Sequence, residues 1–403
     1  MRSPKRKRDT ALVHAGRHPS EFGGVVNTPV VRASTVLYPD LESYERSRAR
    51  KFGALRYGRY GTQTAFAFEE AMAECESGDG AVLYPSGLSA IAGVLKSMLG
   101  HGDHLLIVDT VYAPARAFCE NELRRCGIDV TFYDPAIGSS IGELIRPRTR
   151  VVYCESPGSL TFEVQDIPAL AAACNSRDVA IVVDNTWATP FFHQPLKLGA
   201  HVAIHAATKY IVGHSDAMLG VAVARNSHLP QIRNWAAEHG VLAGPDECWL
   251  ALRGLRSLGA RLRQHQETTK LVIADLREHP AVRRVLYPAS GSGGSKKLWC
   301  RDFSGASGLF GVELMDAASD TVRTFIDSLD LFGIGSSWGG FESLVLPSKP
   351  VRTATRPHWT GPLLRLHIGL EDPDDLINDL HRGLDVLRAA NSQMERKRNV
   401  QDR

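Results

Sequence analysis

The stretch AIVVDNTWATP, residues 180–190, carries the clearest structural signal in the chain. Its first five residues form a short apolar run that ends on Asp184. A second run, AHVAIHA at 200–206, is followed by Thr208 and Lys209. Runs of β-branched residues without alternating polar positions are typical of strands that helices cover on both faces of a sheet. We therefore expect two buried strands whose carboxyl ends carry an acid and a lysine.

The same pattern extends outward from this stretch in both directions. The candidate strands are AVLYP (81–85), HLLIVD (104–109), VTFYD (130–134), RVVYC (150–154), AIVVD (180–184) and AHVAIHA (200–206). Helix-like segments lie between them at 88–99, 115–126 and 167–175. This alternation predicts an α/β fold with a mainly parallel sheet. Ligands of such sheets bind beyond the carboxyl ends of the strands.

The character of the sequence changes after residue 245. We predict helices at 246–267, 270–279, 318–328 and 374–390, strands at 282–288, 309–315 and 363–369, and a surface loop at 290–297. This is the pattern of a smaller C-terminal α+β domain. The first sixty residues are too polar to form a core of their own. Such a segment packs either on the main domain or on a partner subunit. We therefore expect an N-terminal arm at 1–60, an α/β domain at 61–250, and a C-terminal domain at 251–403.

Composition narrows the class of protein. The 403 residues are 43% hydrophobic and 23% charged, as in ordinary globular proteins. With 47 basic and 44 acidic residues, the net charge of +3 gives no reason to expect nucleic acid or a membrane as a partner. Seven cysteines without a C-x-x-C pair predict a reducing, cytoplasmic compartment. The basic start MRSPKRKRDT (1–10) is followed by no apolar stretch, so we expect a solvated arm rather than a secretory signal.

Asp184 and Lys209 together suggest a chemistry. A buried acid needs a cationic or hydrogen-bonding partner, and a lysine in a desolvated crevice becomes nucleophilic. Either residue alone is more simply a turn residue or a surface lysine. The pair at neighbouring strand ends fits pyridoxal phosphate, whose pyridine nitrogen needs an acid and whose aldehyde needs a lysine. The segment YPSGL (84–88) adds a strand, a small-residue turn and a helix start, which can bind a phosphate.

Six motifs then identify a family resemblance. They are TALVHAGR, YGRYGTQT, YPSGLSA, DNTWATP, ATKYIVGHSD and LLRLHIGLED. The chain resembles the Cys/Met-metabolism family of pyridoxal-phosphate enzymes from about residue 10 to 390. The resemblance implies the aspartate-aminotransferase-like fold (fold type I), with a seven-stranded, mainly parallel sheet. It is strongest with the bacterial cystathionine β-lyases, because SSWGGFESL (336–344) carries Trp338 where γ-synthases and γ-lyases have leucine, and because ESPGS (155–159) is of the β-lyase type.

The resemblance also implies roles for individual residues. The cofactor would be pyridoxal 5'-phosphate, and the substrate a small sulfur amino acid. The implied catalytic and cofactor-binding residues are Lys209 (the Schiff-base lysine and Cα base), Asp184 (the pyridinium partner), Tyr112 (stacked on the ring), and Gly87, Leu88 and Thr208 (the phosphate cradle). The implied substrate-binding residues are Arg365 (for the α-carboxylate), Ser337, Trp338 and Tyr57. Tyr57 and Arg59 would reach the phosphate of a neighbouring subunit, so we expect at least a dimer with shared sites, and a homotetramer overall.

Three positions depart from the family pattern. Ala206 stands where many relatives have a serine, which removes one phosphate contact. Gly158 and Ser159 follow the ESP motif where many relatives have an asparagine, which again resembles the β-lyases. Ser336 stands where a tyrosine is common. For Arg365, the alternative to a carboxylate site is an internal salt bridge with a residue such as Glu342.

The implied reaction is cleavage of cystathionine to homocysteine, pyruvate and ammonia. The alternatives are a γ-synthase or γ-lyase, a general cysteine-S-conjugate β-lyase or desulfhydrase, and a non-catalytic scaffold of the same fold. Two other patterns indicate no site. His214, Ser215 and Asp216 are adjacent, so they cannot adopt the nested geometry of a hydrolase triad. His101 and His104 flank a strand entry, where polar capping is simpler than a metal, and we expect no metal.

Overall fold

The computed structural model describes residues 6–49, 51–315 and 317–401, with residues 391–401 as backbone only. Residues 1–5 of the basic start therefore lie outside the described part. The arm contains α1 (Arg8–His14) and α2 (Leu41–Arg48), and α3 (Gln63–Glu76) leads into the large domain. Helix α1 packs against α3 and against the long helix α9 described below.

The large domain is built around a seven-stranded sheet. Its strands are β1 (Gly80–Tyr84), β2 (His104–Val108), β3 (Asp129–Tyr133), β4 (Thr149–Glu155), β5 (Ala180–Asp184), β6 (Val202–Ala206) and β7 (Gly220–Ala224). They lie in the order β1-β7-β6-β5-β4-β2-β3, and only β7 runs antiparallel to its neighbours. The helices between them are α4 (Gly87–Met98), α5 (Ala113–Phe118), α6 (Ile167–Asn175) and α7 (Thr189–Phe192), and α8 (Leu229–Glu238) follows β7. The predicted α/β fold with a mainly parallel sheet is confirmed.

The smaller sheet lies in the C-terminal part of the chain. After α9 (Pro245–Glu278) come β8 (Val282–Leu286), α10 (Gly293–Asp302), β9 (Leu309–Leu314), α11 (Ser319–Asp327), β10 (Gly333–Ile334), β11 (Leu344–Ser348), β12 (Leu363–His367) and α12 (Pro373–Gln401). The strand order is β10-β11-β12-β9-β8, antiparallel except between β10 and β11. The predicted domain boundary at residue 250 falls within α9, which packs on both α3 and β8. The domain boundaries stay a prediction.

Two local predictions in this region are wrong. The helices expected at 246–267 and 270–279 are the single helix α9. Thr268 and Thr269 have weak helix propensity, but both are fully buried, and tertiary packing overrides that propensity. The loop expected at 290–297 contains the start of α10, because Trp299 is buried and stacks on Phe303 at 4.4 Å between ring centroids.

Across residues 6–49, 51–315 and 317–401, no helix combines the length and apolarity that a membrane crossing requires.

Candidate active site

Strands β5 and β6 bring Asp184 and Lys209 to the same edge of the large sheet. Asp184 is the last residue of β5, and Lys209 follows β6 by three residues. Thr186 connects the two segments, because its hydroxyl donates to Asp184 Oδ1 at 2.5 Å and accepts from the Ala206 amide at 2.9 Å. The Lys209 amide in turn donates to the Ala206 carbonyl at 3.0 Å. The acid and the lysine are thus held by one short hydrogen-bonded chain.

The Asp184 carboxylate is buried and is surrounded by neutral donors. It accepts from the Thr186 amide at 3.0 Å, from the Thr186 hydroxyl, and from the Tyr153 hydroxyl at 3.3 Å. Burial raises the pKa of Asp184, while these hydrogen bonds favour its ionised form. Within the described residues, no ion pair involves Asp184. A buried carboxylate in this state can bind a cation that a ligand brings, such as a protonated pyridine nitrogen.

The Lys209 amine faces the turn that carries Ser337 and Trp338. Its Nζ donates to Ser337 Oγ at 2.6 Å and lies 5.3 Å from the centroid of the Trp338 ring. Burial, together with the nearby positive charge of Arg365, lowers the pKa of Lys209 to about 8. The lowered pKa increases the fraction of this amine that is unprotonated near neutral pH, which is the form that attacks an aldehyde or accepts a proton.

A strained turn holds the opposite wall of the site. Ser337 has a φ of 106°, in the region that favours glycine, at a cost of about 1–3 kcal/mol. The turn is fixed because the Ser337 carbonyl accepts from Arg365 at 3.1 Å and the Gly339 amide donates to His367 Nε2 at 3.0 Å. The Trp338 ring packs against Tyr210, with 5.4 Å between their centroids. The strain is therefore compensated by contacts that aim Ser337 Oγ at Lys209.

Arg365 occupies the middle of β12 between the buried Leu364 and Leu366. Burial lowers the pKa of its guanidinium. The alternative partner, Glu342, accepts instead from the Ser215 hydroxyl at 2.5 Å, and no ion pair joins it to Arg365 in the described chain. A half-buried guanidinium without an acidic partner is suited to an incoming carboxylate.

The start of α4 lies directly against the end of β6. Ser86 caps the helix by accepting from the Ser89 amide at 3.1 Å. A Cβ added to Gly87 would lie only 2.5 Å from the Cβ of Ala206, so the approach requires glycine. The first amides of a helix, here those of Gly87 and Leu88, have no partner within the helix and can bind a phosphate.

Thr208 contributes a hydroxyl that already has partners. It accepts from the Leu219 amide at 2.8 Å and donates to the Leu219 carbonyl at 3.2 Å. Donation to a phosphate would require this hydroxyl to turn away from the carbonyl. The residues present fit pyridoxal phosphate. The start of α4 can hold its phosphate, the buried Asp184 can pair with its ring nitrogen, and the Lys209 amine can bind its aldehyde.

Tyr112 lies at the start of α5 and is 44% exposed. Its backbone amide donates to Glu155 Oε2 at 2.7 Å. Burial and the adjacent charge of Asp184 raise the pKa of Glu155 well above its ordinary value. The sequence reasoning missed Glu155 and Tyr153. The pairing of β4 with β5 places Glu155 opposite Asp184, and no signal in the sequence fixes that register.

Tyr57 and Arg59 lie on another part of the surface. Arg59 donates to the Ala237 carbonyl and, at 2.9 Å, to the Tyr60 hydroxyl. Tyr57 is 45% exposed and is bridged to Thr35. In the described part of the chain, neither residue contacts Lys209, Asp184 or Arg365. Their predicted contact with a neighbouring subunit's phosphate stays a prediction.

The two patterns that were set aside have structural roles. His104 bonds through its two ring nitrogens to the hydroxyls of Thr149 at 2.7 Å and Thr131 at 3.0 Å. The ring of His214 bonds to the Val212 carbonyl, and Ser215 donates to Glu342. The adjacent His-Ser-Asp letters therefore form no triad.

Comparison with known proteins identifies the family. Residues 9–385 match the model for "Cys/Met metabolism PLP-dependent enzyme". The chain is 43% identical to the cystathionine β-lyase of Escherichia coli, over 94% of this chain and 98% of that one. It is 36% identical to an L-alanine/L-glutamate racemase of Wolbachia pipientis, over 97% and 100% of the two chains.

A solved structure shows the same architecture. It is cystathionine γ-synthase of Xanthomonas oryzae, which superimposes with a TM-score of 0.87 at 30% identity, covering 96% of this chain and 100% of that one. The predicted fold type is therefore confirmed. Sequence, fold and site geometry agree, and the chain belongs to the Cys/Met-metabolism family of pyridoxal-phosphate-dependent enzymes.

Proposed function

We propose that this protein is a pyridoxal-phosphate-dependent carbon–sulfur β-lyase that cleaves cystathionine to homocysteine, pyruvate and ammonia. One observation carries the proposal: a lysine with a lowered pKa and an arginine without an acidic partner meet at Ser337. The pocket can thus bind an amino acid by its carboxylate and take the proton from its Cα. The identity to a β-lyase over nearly the full chain supports the choice of reaction.

The residues described above would hold the cofactor. Lys209 would bind its aldehyde carbon, Asp184 its ring nitrogen and Tyr112 its ring face, and Gly87, Leu88 and Thr208 would bind its phosphate. When bound, pyridoxal phosphate stabilises negative charge at the substrate Cα by delocalising it into the ring.

The chain itself orients the substrate and moves the protons. Arg365 binds the α-carboxylate through its planar guanidinium, and this fixes the Cα–H bond relative to Lys209. Neutral Lys209 accepts the Cα proton at Nζ, and the Ser337 hydroxyl holds that amine in place. The electron pair left at Cα forms a Cα–Cβ double bond as the Cβ–S bond breaks, the sulfur leaves with the electrons of that bond, and Nζ returns the proton to it as homocysteine. The remaining three-carbon fragment leaves as aminoacrylate, which water hydrolyses to pyruvate and ammonia. An ionised Asp184 would balance the positive charge of the ring nitrogen.

Three other reactions compete with β-cleavage of cystathionine. A γ-lyase would break the other C–S bond, a racemase would return the proton to Cα, and a desulfhydrase would act on cysteine itself. Trp338, whose ring centroid lies 5.3 Å from Lys209 Nζ, is the pocket residue through which the chain resembles the β-lyases.

Product analysis on cystathionine separates these reactions. The proposal predicts pyruvate and homocysteine in equal amounts, with turnover on cysteine much slower. It is wrong if 2-oxobutyrate and cysteine appear, or if the enzyme converts L-alanine to D-alanine in deuterated buffer without forming a keto acid from cystathionine.

We also propose a homo-oligomer, a dimer at least and a tetramer overall, in which sites are shared between subunits. The position of Arg59 away from Lys209 supports it, as do the exposed apolar residues of the arm, among them Val26 (59% exposed), Leu37 (90%) and Leu41 (69%). Light scattering tests it, and a monomeric mass for the active enzyme would contradict it.

For location we propose the cytoplasm, which suits seven free cysteines.

A further inference from the structure

The carboxylate of Asp109 joins the two domains. Asp109 follows β2 in the large domain and is fully buried. Three successive backbone amides of the C-terminal domain point at it: those of Thr353 at 2.9 Å, Ala354 at 3.1 Å and Thr355 at 2.9 Å. The hydroxyls of Thr353 and Thr355 donate to it as well, at 3.1 and 2.8 Å. We call these four residues the Asp109 latch.

Two buried arginines reinforce the latch. Arg116 donates to Asp109 Oδ1 at 2.6 Å, and its guanidinium lies 3.7 Å from the centroid of the Phe132 ring. Arg352 donates to the Asp109 carbonyl at 3.1 Å and also contacts Thr161. Burial alone would raise the pKa of Asp109, but the hydrogen bonds from the latch and from Arg116 hold it below its ordinary value. The carboxylate is thus ionised and fully hydrogen-bonded.

Along the chain, the latch lies close to two residues of the candidate active site. Asp109 precedes Tyr112 by three residues in the large domain. Thr355 precedes Arg365 by ten residues, in the segment that joins β11 to β12 of the small sheet. The expected ring-stacking residue and the expected carboxylate-binding residue are therefore each a short stretch of chain away from the same buried group.

We propose that Asp109 is a positioning residue that fixes the separation between Tyr112 and Arg365 and so sets how tightly the amino-acid substrate is held. This rests on the proposed function, in which both residues face the substrate. Asp109 itself does not take part in the chemistry. Loosening the latch would move the carboxylate-binding wall while leaving Lys209, Asp184 and the phosphate cradle in place.

The test variant is Asp109→Asn. It keeps the size of the side chain but replaces one acceptor oxygen with a donor that faces other donors. The matched control is Glu313→Gln. Glu313 is equally buried and accepts from the amides of Thr360 at 2.7 Å and Gly361 at 2.9 Å, in the same segment but within the small domain.

We expect KM for cystathionine to rise about tenfold or more in Asp109→Asn, the effect of losing charge-assisted hydrogen bonds, with kcat changed much less. Hydrogen exchange should show that the amides of Thr353–Thr355 lose protection. Glu313→Gln should lower the thermal stability without changing KM. Equal KM effects in the two variants, or an unchanged KM once the Thr353–Thr355 amides are unprotected, would overturn the proposal.

Two further measurements test the latch if Asp109→Asn does not fold or if the enzyme does not cleave cystathionine. If Asp109→Asn does not fold, Thr355→Val removes one hydroxyl contact, and a smaller rise in KM is expected; no rise would count against the proposal. If the wild-type enzyme does not cleave cystathionine, the proposed function fails, but the exchange experiment still tests the latch. Amides of Thr353–Thr355 that are unprotected in the wild type would refute it.

Discussion

At the scale of single residues, Arg365 and Lys209 decide what the pocket can bind. Arg365 has Ser337 as a neutral partner and no acidic one in the described chain, so its charge is available to a substrate carboxylate. Arg365→Leu should lower kcat/KM by about two decades or more, since a charge-assisted bidentate contact is worth about 3 kcal/mol, and should leave the cofactor's absorbance unchanged. Steady-state kinetics beside a spectrum checks this. A stable variant with near-native kcat/KM would refute it.

Arg365 and Lys209 together predict how the reactivity of the Lys209 amine depends on pH. Burial and Arg365 lower the pKa of Lys209 to about 8, so its neutral, reactive fraction grows as the pH rises through that value. In the cofactor-free protein, acylation of Lys209 followed by mass spectrometry should therefore show a midpoint near pH 8. Arg365→Gln removes a positive charge, so the midpoint should rise. Arg263→Leu removes an exposed charge that pairs with Asp9 and should leave the midpoint unchanged. An unmoved midpoint in Arg365→Gln would contradict the electrostatic account.

Among the helices and strands, α4 and β6 pack so closely that residue 87 has no room for a side chain. A Cβ on residue 87 would meet Ala206, including its backbone Cα at 3.0 Å. Gly87→Ala should cost about 1–3 kcal/mol of stability and weaken cofactor retention, because the start of the helix must move. Gly294→Ala is the control, since a Cβ there has nothing within 4 Å. Calorimetry and cofactor titration check both effects. Unchanged cofactor affinity in Gly87→Ala would argue against a phosphate site there.

The sequence predicted elements best where the chain repeats a pattern. Six strands of the large sheet follow from buried apolar runs, but β7 was missed because its five residues return antiparallel with no helix before them. Strands β10 and β11 were missed because one is only two residues long and the other contains Pro347. Such short strands are defined by their partners rather than by their own residues.

Some residues of the candidate active site could also be predicted from the sequence, and others could not. Lys209, Asp184 and the turn at Gly87 could be predicted, because each follows a strand whose carboxyl end is recognisable. Glu155 and the Asp109 latch could not, because they depend on strand register and on contacts between segments far apart in the chain. The φ of Ser337 is likewise imposed by its neighbours.

For the whole molecule, we propose that each active site is built from more than one subunit. Arg59 is separated from Lys209 within its own chain, and we expect it to serve a neighbouring site. Arg59→Ala and Lys209→Ala should each be nearly inactive alone. Mixing the two chains should restore part of the activity, because a heterodimer has one site with both defects and one with neither. No recovery, with heterodimers shown to form, would mean that Arg59 acts within its own subunit.

We propose above that Lys209 binds the aldehyde carbon of the cofactor and moves the protons of the substrate. Borohydride makes the covalent link between the cofactor's aldehyde carbon and a lysine permanent, so the labelled lysine can be found by peptide mapping. We predict a single labelled peptide that contains Lys209, and no label in Lys209→Ala that remains folded. A label on any other lysine, or a reduced enzyme that carries none, would contradict the account.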